Sequence, residues 1–445
     1  MLYKKYIIIV ILISSVFSQV QFNRLVPSEY YMGDSRSMAI GNTFLTTGQT
    51  SMLVLTNPAK ISKLDNAIYF QSSFLSISER RSMMISDMWG DFLANADYVF
   101  NDNSYLKNAF GLNYSQSIGN IKVGFGFNHA PLLSFNYNYE EEVRSDADLE
   151  DGVIGIDDPI IGYHIIKTSG DMYVNSVGLS FSFDKGSIGF SINQMQSTKI
   201  EDRVNVNIID DTEYSQNNLS DVADYSNSFL LEKNDFTNNY LTFSIDFNIK
   251  DINLVLSFED ATSLSSSSAS SMYISEHLGL PHIFSLVNDQ LEYNIEGLTY
   301  EKPKKINFGL LYQPKYNSDF SMAFEVTKKL WNHDSQYAMF LNESAIEYRF
   351  GFEYTSLKNF PIRAGLVYSE SPYIVLDPKT TLTLGTGKKF NNLVLDFAMN
   401  YNMISYMHHD IFPMMDTSNL SCDDVGCDTV RENNLTLQAT VRYDF

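Results

Sequence analysis

From residue 435 to its end the chain alternates strictly: Leu435, Leu437, Ala439, Val441, Tyr443 and Phe445 share one face of an extended strand, and Thr436, Gln438, Thr440, Arg442 and Asp444 the other. The period of two recurs along most of the sequence. Leu241, Phe243, Ile245, Phe247 and Ile249 interleave with Thr242, Ser244, Asp246 and Asn248, and Ile346, Tyr348, Phe350, Phe352 and Tyr354 with Glu347, Arg349, Gly351, Glu353 and Thr355. Such runs predict strands over 67–78, 110–118, 121–128, 172–183, 187–196, 240–249, 252–259, 305–313, 320–329, 345–356, 361–369, 381–388, 392–402 and 433–445, about fourteen in all and an even number. Tight turns join them in pairs at Gly119-Asn120, Asp184-Lys185-Gly186, Lys250-Asp251, Lys358-Asn359 and Phe390-Asn391. Long polar segments (79–109, 129–171, 197–239, 261–304, 330–344, 370–380 and 403–432) join one pair to the next. Short turns at one end and long loops at the other predict an all-β fold, a transmembrane antiparallel β-barrel of about 14 strands over residues 67–445. A Lys or Arg on the lipid face at midplane costs roughly 2–4 kcal/mol, so the polar set must face the lumen. Glu347, Arg349, Glu353, Arg363, Asp396 and Arg442 are then expected to form interior charge pairs.

Composition narrows the class. Aromatic residues make up 14% of the chain, with Tyr 28 and Phe 31 against Trp 2, a supply of rings for the lipid face and its interfaces. Mean hydropathy is -0.16, and beyond the N-terminus no apolar run approaches the roughly 20 residues a spanning helix needs. The net charge of -22 argues against nucleic acid, since no cluster of Lys and Arg offers itself to a phosphate backbone. Acids gather at Glu140, Glu141, Glu142, Asp146, Asp148, Glu150 and Asp151, which read as a solvated loop without calcium-loop spacing. Lys4 and Lys5 precede an apolar run at 6–13 and then Ser14, Ser15 and Ser18, the layout of a signal peptide over 1–18 and hence of export. In an exported chain Cys422 and Cys427, in a polar segment, are expected to form a small disulfide that staples a loop. No phosphate-binding Gly loop, zinc spacing or nucleophile elbow appears, and the paired His408 and His409 read as loop polarity; neither an enzyme, a cofactor nor a metal is expected.

Residues 19–66 lack sustained alternation. They contain Arg36-Ser37-Met38-Ala39-Ile40-Gly41 and, further on, Asn57-Pro58-Ala59, where Pro58 suits the first helical position and Asn57 is expected to cap it. Arg36, Met38 and Gly41 followed by Asn57, Pro58 and Ala59 resemble the N-terminal plug of the FadL-type barrels, transporters of long-chain fatty acids and hydrocarbons, and of their relatives in the PorV/PorQ family. The terminal strand, with Tyr443 and Phe445, resembles the C-terminal recognition strand of bacterial outer-membrane barrels. The resemblance implies a hatch over 19–66 folded into the lumen, a place in the bacterial outer membrane, and contact with its lipid and with the barrel-assembly machinery. Two positions depart from it: Asn42-Thr43-Phe44-Leu45 stands where small residues are usual, and Lys60 where FadL-type plugs carry Gly or Leu. The FadL-type likeness implies uptake of hydrophobic small molecules, fatty-acid or hydrocarbon-like; the PorV-type likeness implies a shuttle for secreted proteins of a type IX-like secretion system.

Two loop stretches, 82–93 and 272–291, place Met83, Met84, Met88, Trp89 and Phe92, then Leu280 and Phe284, at helical spacing. They are expected to form short amphipathic helices that capture hydrophobic ligands, a task adaptable Met side chains suit.

Overall fold

A computed structural model describes residues 28–86, 89, 92–144, 159–209, 229–234, 237–265, 268–270, 284–287, 290–293, 299–331, 342–355, 360–373, 376–409, 411 and 427–445. The expected signal peptide, Met88, Leu280, Cys422 and the turn at 358–359 lie outside these residues.

The alternating segments form Ala67–Ser86 (β1), Phe92–Ile118 (β2), Ile121–Ser134 (β3), Asp171–Ser182 (β4), Gly186–Ser197 (β5), Thr237–Ile249 (β6), Ile252–Glu259 (β7), Lys304–Tyr312 (β8), Phe320–Leu330 (β9), Ser344–Tyr354 (β10), Ile362–Ser369 (β11), Lys379–Phe390 (β12), Leu393–His409 (β13) and Cys427–Asp444 (β14). Each pairs antiparallel with its neighbour, and β14 returns to β1 from Ala67↔Asp444 to Ser82↔Thr429, closing a fourteen-strand barrel. The tight turns use left-handed backbone at Gly119 (φ 61°), Lys250 (φ 57°) and Asn391 (φ 50°). Parity along β6 shows why the ring closes this way round: Leu241, Phe243, Phe247 and Ile249 lie on the outer surface, while Thr242, Ser244 and Asp246 are buried inside. Tyr443 and Phe445, at the turn end, are exposed on that outer surface too.

At the loop end the strands run past the membrane belt. The described residues of 82–93 form no helix: Met83↔Ala96 to Ser86↔Phe92 pair β1 with β2 as a hairpin. The strands below already supply the hydrogen-bonded nucleus, whereas a lone helix of this length is marginal. Phe284–Val287 likewise pairs with Gln290–Tyr293 as a hairpin rather than a helix. Inside segments expected to be loop, Tyr137–Arg144, Ile160–Ser169, Ile200–Ile208, Phe229–Asn234 and Ser268–Ser270 form a second, five-stranded sheet. Tyr137 Oη donates to Glu79 Oε2 at 3.1 Å, and Arg81, fully buried, pairs with Glu79 at 2.9 Å and Asp428 at 3.5 Å beneath the Tyr139 ring. Buried charges of this kind hold only when paired, so the network fixes the sheet to the barrel.

Residues 34–64 fill the lumen. Helices Ser35–Ala39 (α1) and Phe44–Thr47 (α2) are followed by 3₁₀ turns at Ser51–Leu55 and Pro58–Lys63. Asp34 caps α1, accepting from Ser37 N at 2.9 Å, and also takes Gln49 N. Asn57 does not cap the turn that follows it; its Nδ2 donates to Leu45 O instead and ties the two halves of the plug together.

Candidate functional site: a covered cavity above the plug

The plug is held at two footprints made by lumen-facing glycines. On one wall, a Cβ on Gly351 would lie 2.3 Å from Ile40 C and one on Gly365 2.2 Å from Gly41 N. On the other, a Cβ on Gly189 would meet Ala59 N at 2.3 Å and one on Gly124 Ser62 N at 2.5 Å. Only glycine admits plug backbone so near the wall. At these footprints wall hydroxyls meet plug backbone: Thr383 Oγ1 accepts from Gly41 N, Ser244 Oγ from Ala59 N and Ser180 Oγ from Ser62 N, and nearby Thr242 Oγ1 donates to Leu55 O. Charge adds to this. Arg36 Nε and Nη2 reach both carboxylate oxygens of Glu353 at 3.0 and 2.7 Å, and Arg363 links Glu353 to Asp396. Arg349 pairs with Glu347 and Arg442 with Asp444. Lys63 pairs with Asp246 across the gap. Lys60 donates to Thr46 O, and burial pushes its ammonium down to about 8.

Above the plug lies a cavity of about 340 Å³. Phe44, Leu45, Met52 and Leu55 of the plug and Leu75 and Ile77 of β1 form its apolar side, and charged residues of β8, β9, β10 and β12 its polar side. Ser28–Glu29 crosses this space as a two-residue strap. Ser28↔Ser134 and Glu29↔Leu133 pair it with the end of β3, and Tyr30 N donates to Leu132 O at 3.0 Å. Glu29 also reaches the far wall, 3.0 Å from Lys305 Nζ and 2.6 Å from Lys329 Nζ. Burial raises its carboxyl, but the two ammonium groups outweigh that and hold it well below the usual carboxylate range.

The strap sits where the wall divides. The β2–β3 ladder runs from Ile118↔Ile121 to Phe110↔His129; beyond it, β3 keeps β4 on one edge with a bulge between Pro131 and Leu133, and on the other takes the strap in place of β2. Pro131 has no N–H to give a neighbour and the bulge bends the strand away. Lys107, Ala109, Ala130 and Pro131, on either side of this division, all line the cavity. Lys107 Nζ pairs with Asp171, which also accepts from Tyr30 Oη at 3.0 Å, so one carboxylate ties strap and wall together.

Of the residues singled out by sequence, Arg36, Met38, Gly41, Asn57, Pro58 and Ala59 lie in the plug; Met38 is buried with Ala39 against Ala398, and Gly41 adopts φ 69°. Met83 and Met84 are exposed on the outer hairpin and Trp89 on its turn, well apart from the cavity; Phe92 and Phe284 lie on strands. Cys427 is buried and disulfide-bonded. Sequence reasoning missed Glu29, Glu325, Lys305, Lys329 and Trp331, all of which line the cavity. Lumen parity at the outer ends of β8 and β9 is the signal that points to the two lysines.

No protein-family model and no curated protein sequence matches the chain. Solved structures do match over nearly its whole length. A crystal structure of a Pseudomonas aeruginosa FadL homologue has a TM-score of 0.59 at 12% identity, covering 97% of this chain and 100% of that one. The P. putida toluene transporter TodX has a TM-score of 0.56 at 13% identity over 94% and 99%, and the monoaromatic hydrocarbon channel CymD 0.51 at 11% over 94% and 99%. At such identities the likeness speaks to architecture. The chain has the fold of the FadL-type outer-membrane barrels, a closed fourteen-strand wall around an N-terminal plug.

Proposed function

We propose that the protein sits in the bacterial outer membrane and admits hydrophobic small molecules through its plugged barrel. The observation that carries this reading is the covered cavity that meets a division in the wall between β2 and β3, where the strap at Ser28–Glu29 takes the place of β2 beside β3. A compound entering from the loop end rests against Phe44, Leu45 and Leu55; lifting the strap then joins the cavity to the side of the barrel. The plug itself, pinned by glycine contacts, hydroxyls and ion pairs on opposite walls, is the part least suited to leave. The fold shared with a toluene transporter and a monoaromatic hydrocarbon channel supports uptake. The alternative, a shuttle for secreted proteins, gains no support from the neighbours or from the cavity. Uptake of a labelled hydrophobic compound by cells carrying the protein in their outer membrane tests the reading. Uptake above that of cells lacking it, lost when Ala130→Trp fills the division, is expected; equal uptake in all three strains overturns it.

A further inference from the structure

We infer that the outer rim of the barrel at β8 and β9 carries a site for a membrane lipid with an anionic phosphate head, held by Lys304 and Lys328; this goes beyond uptake and rests only on the placement in a membrane. Lysines come in tandem at both strand ends, Lys304-Lys305 where β8 begins and Lys328-Lys329 where β9 ends. A period of two sends the members of each tandem to opposite faces. Lys305 and Lys329 stand directly opposite each other and face the lumen, where Glu29 takes both, at 3.0 and 2.6 Å. Lys304 and Lys328 are exposed on the outer face, which they share with Phe308 and Phe324.

The register makes the outer two diagonal neighbours. Lys304 pairs with Leu330 and Lys328 with Ile306, which sets the two lysines about 7–8 Å apart across the ladder. Like charges facing each other on a sheet are destabilising unless an anion lies between them. The inner pair has Glu29 for that purpose. Among the described residues no carboxylate forms an ion pair with either outer ammonium, Asp260 just past β7 included. Across the barrel, the opposed Arg80 and Arg431 differ in sharing Asp97, at 3.8 and 3.9 Å. Height agrees with a lipid as the missing anion. The nine residues of β8, Lys304–Tyr312, climb roughly 20 Å when tilted by about 40°, close to the apolar band of about 25 Å on an outer-membrane barrel. From that level the lysine stems carry their ammonium groups to the lipid heads, while Ile306, Phe308, Phe324 and Val326 below them present an apolar face for an acyl chain. A free anion gains nothing from that face, and a neutral head gains nothing from the two charges. A lipid with an anionic phosphate head uses both.

Native mass spectrometry of the full-length protein, released from detergent with dioleoyl phosphatidic acid or dioleoyl phosphatidylcholine, reads the site. Phosphatidic acid is expected to stay bound after phosphatidylcholine is lost. A lysine against an anionic membrane surface changes affinity about fivefold, so Lys304→Gln with Lys328→Gln is expected to weaken phosphatidic acid about thirtyfold. Lys304→Arg with Lys328→Arg should retain it, and phosphatidylcholine should bind all three proteins alike. Should the Gln variant fail to fold, the salt dependence of the parent carries the test: raising salt from about 50 to about 500 mM is expected to loosen phosphatidic acid and leave phosphatidylcholine unchanged. Equal retention of the two lipids, or a Gln variant that binds phosphatidic acid as the parent does, overturns the site. Displacement of phosphatidic acid by excess inorganic phosphate marks a site for a free anion only and overturns the lipid assignment. The uptake reading stands in each of these cases, since the cavity and the inner lysines are untouched.

Discussion

Arg36 of the plug and Glu353 of β10 meet fork to fork, Nε to Oε2 at 3.0 Å and Nη2 to Oε1 at 2.7 Å, although 317 residues separate them in the chain. The pair is two-pronged and mostly buried, with side-chain exposures of 20% and 9%; removing Glu353 leaves Arg36 without a carboxylate, and removing Arg36 leaves Glu353 on Arg363 alone. Arg36→Ala and Glu353→Gln are each expected to destabilise the protein by about 2–3 kcal/mol, and the double variant by much less than the sum, as for any pair in contact. Thermal unfolding of the four proteins in detergent checks this; additive losses contradict a direct pair.

Gly365 makes a different demand. A methyl there would fall 2.2 Å from Gly41 N and 2.4 Å from Gly41 Cα, both backbone atoms that no side-chain rotation can move. Gly365→Ala is therefore expected to lift the first footprint of the plug off the wall and to raise single-channel conductance for small ions in a planar bilayer from near zero to measurable bursts. Gly119→Asn, at a turn with open space around it and a φ of 61° that Asn tolerates, is the matched control and should stay closed.

Lys60 is one of the two places where the sequence departs from the FadL-type plug pattern, and its chemistry gives a pH-dependent prediction. Burial lowers it to about 8, so between that pH and its ordinary value the unfolded chain holds more protons than the folded one, and stability rises with pH across that window. Below it the cost of burying the charge is fully present. Lys60→Met should stabilise the protein at pH 7 by about 2 kcal/mol, discounted for partial exposure, and by less at pH 10. Unfolding midpoints at the two pH values decide; a gain that grows with pH contradicts the assignment.

The strands were legible because lipid and lumen impose opposite chemistry on alternate residues, and each of the fourteen expected segments became one barrel strand. What failed was their outer ends. β1 runs to 86 rather than 78 and β3 to 134 rather than 128, because above the lipid belt the alternation is no longer enforced while the ladder still pairs. That same loss of enforcement let Met83 and Met84 pass for a helix face. The cavity was harder to read. Glu29 finds Lys329 across 300 residues, and nothing local to Ser28-Glu29-Tyr30 marks it as a strap. Pro131 was the one available sign of a strand edge, and it lay in a segment taken for loop.

The proposed route turns on the strap at Ser28–Glu29, and locking that strap is the most direct test of it. Ser28 and Ser134 face each other across the ladder, so Ser28→Cys with Ser134→Cys places two thiols for a cross-strand disulfide. Uptake of a labelled hydrophobic compound is measured with the bridge oxidised and then reduced, against the parent protein treated identically to allow for its own disulfide at Cys427. Loss of uptake on oxidation and recovery on reduction is the predicted result; uptake at the parent rate with the bridge intact would contradict the route through the divided wall.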